Sequence, residues 1–201
     1  MAGERTYTDT ETSSAPSEGA TSRSVLVSES PEQPDHSDPR RSWKGNVLLW
    51  TLCVIVWFAF DRVTKVFFDD NFMPGDVVVS NIAGLFQFDL VHNRGVAWGA
   101  FAGEIPLIVV LTAVVCVLIL AFSLYWARSA TRTEMVALGL LFAGGIGNLF
   151  DRVTLGYVVD FITPIFIDFP TFNIADIGVT CGVILLAIVW VVQIVREGKK
   201  E

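Results

Sequence analysis

Four long apolar stretches limit this chain to a narrow set of folds. They run from about residue 46 to 67, 105 to 126, 135 to 154 and 174 to 195. Crossing the hydrocarbon core of a bilayer takes about 20 helical residues at about 1.5 Å each. The first, second and fourth stretches reach that length directly. The third runs from Met135 to Phe150 and reaches it only by extending to about Thr154, which brings Asp151 and Arg152 to the membrane edge. Apolar residues make up 52% of the 201-residue chain, a share that fits several membrane spans.

The bases orient the spans. Arg40, Arg41 and Lys44 precede the first, Arg128 and Arg132 lie between the second and third, and Arg196, Lys199 and Lys200 follow the fourth. All three clusters share the cytoplasm if both termini are cytoplasmic. The connections at about 68–104 and 155–173 then face outward, and they carry Asp69, Asp70, Asp76, Asp89, Glu104 and Asp168. The first of these loops has its own pattern. Asp76 to Ser80 is rich in β-branched residues, and Leu85 to Leu90 alternates apolar with polar, bounded by Gly75, Asn81 and Gly84. Period-two alternation between turn residues predicts a small antiparallel sheet with one buried face. The expected fold is therefore an all-α membrane protein: four transmembrane helices with a small extracytoplasmic antiparallel β-sheet over a domain at 43–201.

Residues 1–42 are rich in Ser, Thr, Glu, Pro and Gly and hold many of the acids behind the formal net charge of -7. Such a segment cannot bury enough apolar surface to offset its ordering entropy, and it lacks the apolar core of a secretory signal peptide. The expectation is a disordered acidic tail. No basic stripe interleaved with aromatics is present, which argues against nucleic acid as a partner. Cys53, Cys116 and Cys181 lie far apart inside apolar runs, and His36 and His92 are the only histidines. No metal-ligand spacing results, so no metal site is expected.

Within the third span, Gly139, Ala143 and Gly147 recur every four residues, a ridge of small side chains suited to close helix packing. Gly144 and Gly145 add small surface on the adjoining face, where a ligand has room to approach.

The pentapeptide Phe-Asp-Arg-Val-Thr occurs twice, at 60–64 and 150–154, each time closing an apolar run. An acid at such a point is costly, about 2.5–3.5 kcal/mol for Asp at mid-span. Asp61 has a neutralising partner in Lys65, four residues on, whose long stem can reach toward the headgroups. Asn148, Asp151 and Arg152 share one helical face, which reads either as an interfacial charge cluster or as a surface that orients a polar ligand group.

Asp160 and Asp176 are harder to account for. Asp160 lies between apolar neighbours in Tyr157-Val158-Val159-Asp160-Phe161-Ile162. Asp176 has a structural explanation, with Asn173 as N-cap and Asp176 as the third helical residue of a capping box. Two carboxylates brought close in apolar surroundings tend to share one proton, the arrangement that lets one activate water while the other polarises a carbonyl. Pro164 and Pro170 lie between them and constrain the return of the chain. A membrane serine protease fits less well, because no G-x-S-x-G is present and neither histidine lies in a span. The Gly-x-Gly-Asp of presenilin-type proteases is not matched either, since Asn148 follows Gly145-Ile146-Gly147. A transporter or channel subunit would place its acids near mid-span rather than at the span ends. A scaffold that binds without cutting stays open on these residues alone.

Five blocks in order carry a family resemblance over roughly residues 45–196. They are Asp61-Arg62-Val63-Thr64-Lys65, Asn93-Arg94-Gly95-Val96-Ala97-Trp98-Gly99, Gly144 to Arg152, Gly156 to Phe161 and Phe172 to Asp176. The chain resembles bacterial lipoprotein signal peptidase, also called signal peptidase II. The resemblance implies a membrane aspartic endopeptidase without metal or organic cofactor, with Asp160 and Asp176 catalytic. It implies diacylglyceryl-modified prolipoproteins as substrates, reached through the membrane lipids and cut on the N-terminal side of the lipidated Cys at the extracytoplasmic face. Asn93, Asn148, Arg152 and Asn173 match positions that line the site, with Gly145 taken as substrate-binding. Asp61, Lys65 and Asp151 match positions read as structural support. Nothing requires more than a monomer. The acidic tail lies outside the family pattern.

Overall fold

A computed structural model describes residues 43–95 and 103–199 of the chain. The expected tail at 1–42 and the Val96-Ala97-Trp98-Gly99 part of the second block lie outside the described residues. The elements are α1 (Trp43–Asn71), β1 (Val77–Ile82), β2 (Phe86–Asn93), α2 (Ile105–Trp126), α3 (Arg132–Thr154), β3 (Val158–Pro164) and α4 (Ile174–Glu197). All four helices are long and apolar enough to cross a membrane. The expected span at 105–126 coincides with α2, whereas α1 continues four residues beyond the expected end at Phe67.

The apolar stretches differ in what they bury. Half of the apolar window of α3 is buried, against 11–17% in the other three helices. So α3 is the central helix, and the others turn leucines, valines and isoleucines such as Val56, Val117 and Ile194 outward. That is the pattern of a bundle whose solvent is lipid.

Small residues make the central position of α3 possible. A Cβ on Gly139 would lie 3.3 Å from the Trp50 carbonyl oxygen of α1, and one on Gly144 would lie 2.3 Å from the Ala175 carbonyl oxygen of α4. Ala143 is fully buried, and a Cβ on Gly147 would lie 3.3 Å from the Ala175 Cβ of α4. The ridge of Gly139, Ala143 and Gly147 therefore does what its spacing predicts.

Polar contacts close the bundle end remote from the sheet. Thr131 caps α3 in a capping box with Glu134. The buried Glu134 also accepts from Trp190 Nε1 of α4 at 3.2 Å, and Asn46 Nδ2 of α1 donates to the Ala127 and Ala130 carbonyls at 2.9 Å each.

At the other end, β1 and β2 form the expected antiparallel pair. The turn between them uses left-handed Ala83 and Gly84, with the Gly84 amide donating to Asn81 Oδ1 at 2.7 Å. The third strand is not anticipated in the sequence reading. β3 comes from the second loop and pairs antiparallel with β2, giving the order β1-β2-β3. Its run Val158-Val159-Asp160-Phe161-Ile162 is β-branched and aromatic, which is the strand signal that was available. A register shift between Phe88 and Val91 puts an irregularity in β2 directly before the Val91–Asp160 pair.

The sheet is anchored by aromatic packing on the extra length of α1. Phe68 is buried and stacks on Phe161, with centroids 4.2 Å apart and planes at 12°. Leu90, Val159 and Ile174 complete this core. After β3 the chain doubles back. Phe172 exchanges hydrogen bonds with Ile162 in both directions, at 2.9 Å each. That return brings Asn173, and the start of α4, beside Asp160.

Candidate active site

Two separate elements bring Asp160 and Asp176 to one cavity. Asp160 is at mid-strand in β3 and Asp176 is in the first turn of α4. Both line a cavity of about 290 Å³, together with Asn93, Asn148, Arg152, Val158 and the segment Phe169 to Phe172.

The first turn of α4 is built as its sequence predicts. Asn173 Oδ1 accepts from the Asp176 amide at 3.1 Å, and Asp176 Oδ2 accepts from the Asn173 amide at 3.1 Å. This capping box leaves the other atoms of both side chains for the site. Asn173 Nδ2 donates to Asp160 Oδ1 at 2.6 Å and to Asn148 Oδ1 at 3.0 Å. Asn148 Nδ2 donates to Asp176 Oδ1 at 2.7 Å. Asn93 Nδ2, from the end of β2, donates to Asp160 Oδ2 at 2.9 Å. So each carboxylate is held by amides from different elements, and Asn173 touches both.

Asp160 is 2% exposed. Burial, and then the neighbouring Asp176 carboxylate, push its carboxyl up to about 7, against the pull of hydrogen bonds from Asn93 and Asn173 and the charge of Lys65. A carboxyl in that range holds a proton near neutrality and can give it up, the property of a general acid.

Arg152 lines the same cavity. Its Nη2 donates to the Gly95 carbonyl at 2.9 Å and its Nη1 to the Asn148 carbonyl at 3.3 Å. The first of these bonds ties the segment just after β2 to α3.

Behind this layer lies a buried charge cluster. Lys65 Nζ is 3.1 Å from Asp61 Oδ2 and 2.9 Å from Asp151 Oδ2, and it donates to Asn148 Oδ1 at 2.8 Å. The expected Asp61–Lys65 pair is present, but Lys65 does not reach toward headgroups. It is fully buried, because three acceptors on α1 and α3 satisfy its ammonium inside the bundle. Asp151 is likewise fully buried rather than interfacial. It binds Arg62 Nη1 at 2.5 Å and accepts from the Val159 amide at 3.3 Å. Asp61 Oδ1 accepts from the Ala175 amide at 3.0 Å, so the support cluster grips the α4 turn that carries Asp176.

Gly145 is not among the residues that line this cavity; a Cβ there would lie 2.9 Å from Cys116 Sγ of α2. Gly144 is also unavailable to a ligand, since α4 packs on it.

Arg62 and the wall Phe169-Pro170-Thr171-Phe172 were missed in the sequence. Arg62 stands beside the noted Asp61, but its partner Asp151 is 89 positions away. The wall carries no charge, and although Phe172 opens the fifth block, only the fold of its loop makes the segment a lining.

Similarity to known proteins identifies the family. A profile described as Signal peptidase (SPase) II matches residues 53–192. The lipoprotein signal peptidase of Dehalococcoides mccartyi is 41% identical over 138 residues, covering 66% of this chain and 82% of that protein. The lipoprotein signal peptidase of Microcystis aeruginosa is 36% identical over 146 residues, covering 73% and 93%. Among solved structures, a bacterial membrane enzyme determined by the in meso method at 2.3 Å resolution superposes with a TM-score of 0.62 at 36% identity, covering 74% of this chain and 88% of that one. With a profile match over most of its length and relatives covered to 82–93% of theirs, this multi-pass membrane protein belongs to the signal peptidase II family and is an aspartic-type signal peptidase.

Proposed function

We propose that residues 43–201 form a peptidase domain that removes the signal peptide from diacylglyceryl prolipoproteins, with Asp160 and Asp176 as the catalytic dyad. The observation that carries this reading is the amide lattice around one cavity: Asn173 contacts both acids, while Asn93 and Asn148 each hold one. The substrate arrives through the membrane lipids, and a monomer suffices. The termini are cytoplasmic and the cavity faces the extracytoplasmic side, in keeping with the distribution of bases.

In this mechanism Asp160 carries the shared proton, in line with its raised carboxyl. The Asp176 carboxylate accepts a proton from water as the water oxygen adds to the scissile carbonyl carbon. Asp160 gives its proton to the carbonyl oxygen. The tetrahedral intermediate then collapses: the C–N bond breaks, the amine of the lipidated Cys takes a proton from Asp176, and Asp160 recovers its own from the intermediate's hydroxyl. Arg152 orients the substrate backbone with its forked guanidinium, and Asn148 with the second hydrogen of the amide that holds Asp176.

The test is cleavage of a diacylglyceryl prolipoprotein by the reconstituted protein and by Asp160→Asn and Asp176→Asn. Each variant is expected to lose at least about 10³-fold in kcat. Full cleavage by either variant would sink the dyad. Binding without cleavage by the unmodified protein would favour a scaffold.

A further inference from the structure

Next to the dyad, but outside its cavity, lies a second polar cluster. The ring of His92 on β2 lies parallel to that of Tyr157, with centroids 3.9 Å apart and planes at 17°. His92 Nε2 is 2.7 Å from Asp69 Oδ1, in the last turns of α1. The Tyr157 hydroxyl donates to the other oxygen, Asp69 Oδ2, at 3.4 Å. One carboxylate therefore holds two stacked rings, one on β2 and one immediately before β3. Burial, and then Asp69, push the Tyr157 phenol up, so it remains an O–H donor at neutral pH.

The place of this clasp in the sheet gives it leverage. His92 immediately precedes Asn93, and Tyr157 immediately precedes Val158. His92 pairs with Val159, Asn93 with Val158 and Val91 with Asp160. The same stretch of β2 follows a register irregularity after Phe88. A strand irregular on one side of the site gains definition from a side-chain tie on the other. The residue fixed by that tie is the one whose Nδ2 donates to Asp160 Oδ2 at 2.9 Å.

We propose that the Asp69–His92–Tyr157 clasp is a positioning unit for the reaction, setting the reach of Asn93 to Asp160 by locking β2 against β3 and the end of α1. None of the three touches the cavity, so none is a catalytic residue. The inference rests on the dyad reading, because its effect is exerted on Asp160. It predicts a signature that stability alone does not produce. The charged and titratable groups acting on Asp160 are Asp176 from α4, Lys65 from α1 and Arg152 from α3, and the clasp leaves all three in place. Loosening Asn93 removes one of the hydrogen bonds that hold the Asp160 carboxyl down, so the carboxyl rises.

The experiment compares kcat and its pH profile for the unmodified full chain, His92→Ala, His92→Gln, Asn93→Ala and the double variant, on a reconstituted diacylglyceryl prolipoprotein. His92→Ala is expected to lower kcat about tenfold with KM within about twofold, and to move the alkaline limb upward by roughly 0.5–1 pH unit. Asn93→Ala is expected to move the limb the same way, and adding His92→Ala to it moves the limb no further. His92→Gln keeps a donor toward Asp69 and is expected to restore most of the limb position. The limb is independent of how much protein folds. An unmoved limb in His92→Ala, or an additive shift in the double variant, overturns the clasp while leaving the dyad standing. Full cleavage by Asp160→Asn overturns both.

Discussion

Lys65 Nζ lies 2.8 Å from Asn148 Oδ1, and this contact decides which way the Asn148 amide points. Lysine is a donor only, so the oxygen of Asn148 faces it and the NH2 faces Asp176. A buried ammonium on α1 thus orients the group that holds an acid on α4. Lys65→Met is expected to cost stability first. It leaves Asp61 and Asp151 short of a partner in the interior, a loss of about 3–5 kcal/mol. Thermal unfolding in detergent measures it, and pairing Lys65→Met with Asp61→Asn is expected to restore part of the loss. Folded Lys65→Met is also expected to turn over more slowly, since Asn173 Nδ2 is then the one donor left to fix the Asn148 oxygen. Unchanged kcat in the folded fraction would show that Lys65 does not orient Asn148.

The raised Asp160 carboxyl makes a signed prediction about stability and pH. Its folded value of about 7 lies above its ordinary value of 3.8. Between those values the folded state binds more protons than the unfolded state. The stability this group contributes is therefore fully present below about pH 4 and lost as the pH rises through about 7. Asp160→Asn lacks this dependence. The difference in unfolding midpoint between Asp160→Asn and the unmodified protein is expected to shift in favour of the variant from pH 5 to pH 8. A constant difference across that range would argue that Asp160 is not held protonated by its surroundings.

Two neighbouring glycines in α3 are expected to respond differently to alanine. At Gly144 the new Cβ would meet the Ala175 carbonyl oxygen at 2.3 Å and Val179 Cγ2 at 2.8 Å. Backbone must move, and the backbone in question is the turn before Asp176. Gly144→Ala should cost roughly 1–3 kcal/mol and most of the activity. At Gly145 the Cβ meets only Cys116 Sγ, the end of a side chain, at 2.9 Å. Gly145→Ala should stay within about 1 kcal/mol and keep its cleavage rate. Matched unfolding and turnover measurements would separate the two, and a large rate loss at Gly145 would return it to the site.

The arginines of the two identical pentapeptides should fail in different ways. Arg62 binds buried Asp151 at 2.5 Å and lies over the Phe150 ring, 5.0 Å from its centroid. Arg62→Ala is expected to lose about 2 kcal/mol of stability. Arg152 lines the cavity and bonds the Gly95 and Asn148 carbonyls. Arg152→Lys loses the planar fork while keeping the charge, and kcat/KM should fall about tenfold or more with a small change in unfolding midpoint. The reverse pattern would exchange the two roles.

The two pentapeptides also show how far a sequence carries. Their shared topology is legible, since each closes an apolar run. That the first supplies Arg62 to Asp151 of the second is not, because ion pairing across 89 positions leaves no periodic trace. Local physics determined what lies within a few residues. The helices follow from apolar runs long enough to cross a bilayer, and the ridge of α3 from small residues at intervals of four. The Asn173–Asp176 capping box follows from a cap residue and an acid three apart. The resemblance also pointed to the two acids, through blocks that survive as short strings.

Tertiary structure decided the rest, because it depends on which surfaces meet. It sent Lys65 inward rather than toward headgroups, since three acceptors lay on that side. It spent Gly144 and Gly145 on helix contacts, since α3 is surrounded. It made β3 the partner of β2, and through that pairing put Asn93 against Asp160. A hydrogen bond between residues 67 positions apart depends on the pairing of two strands, and only the folded sheet supplies that register.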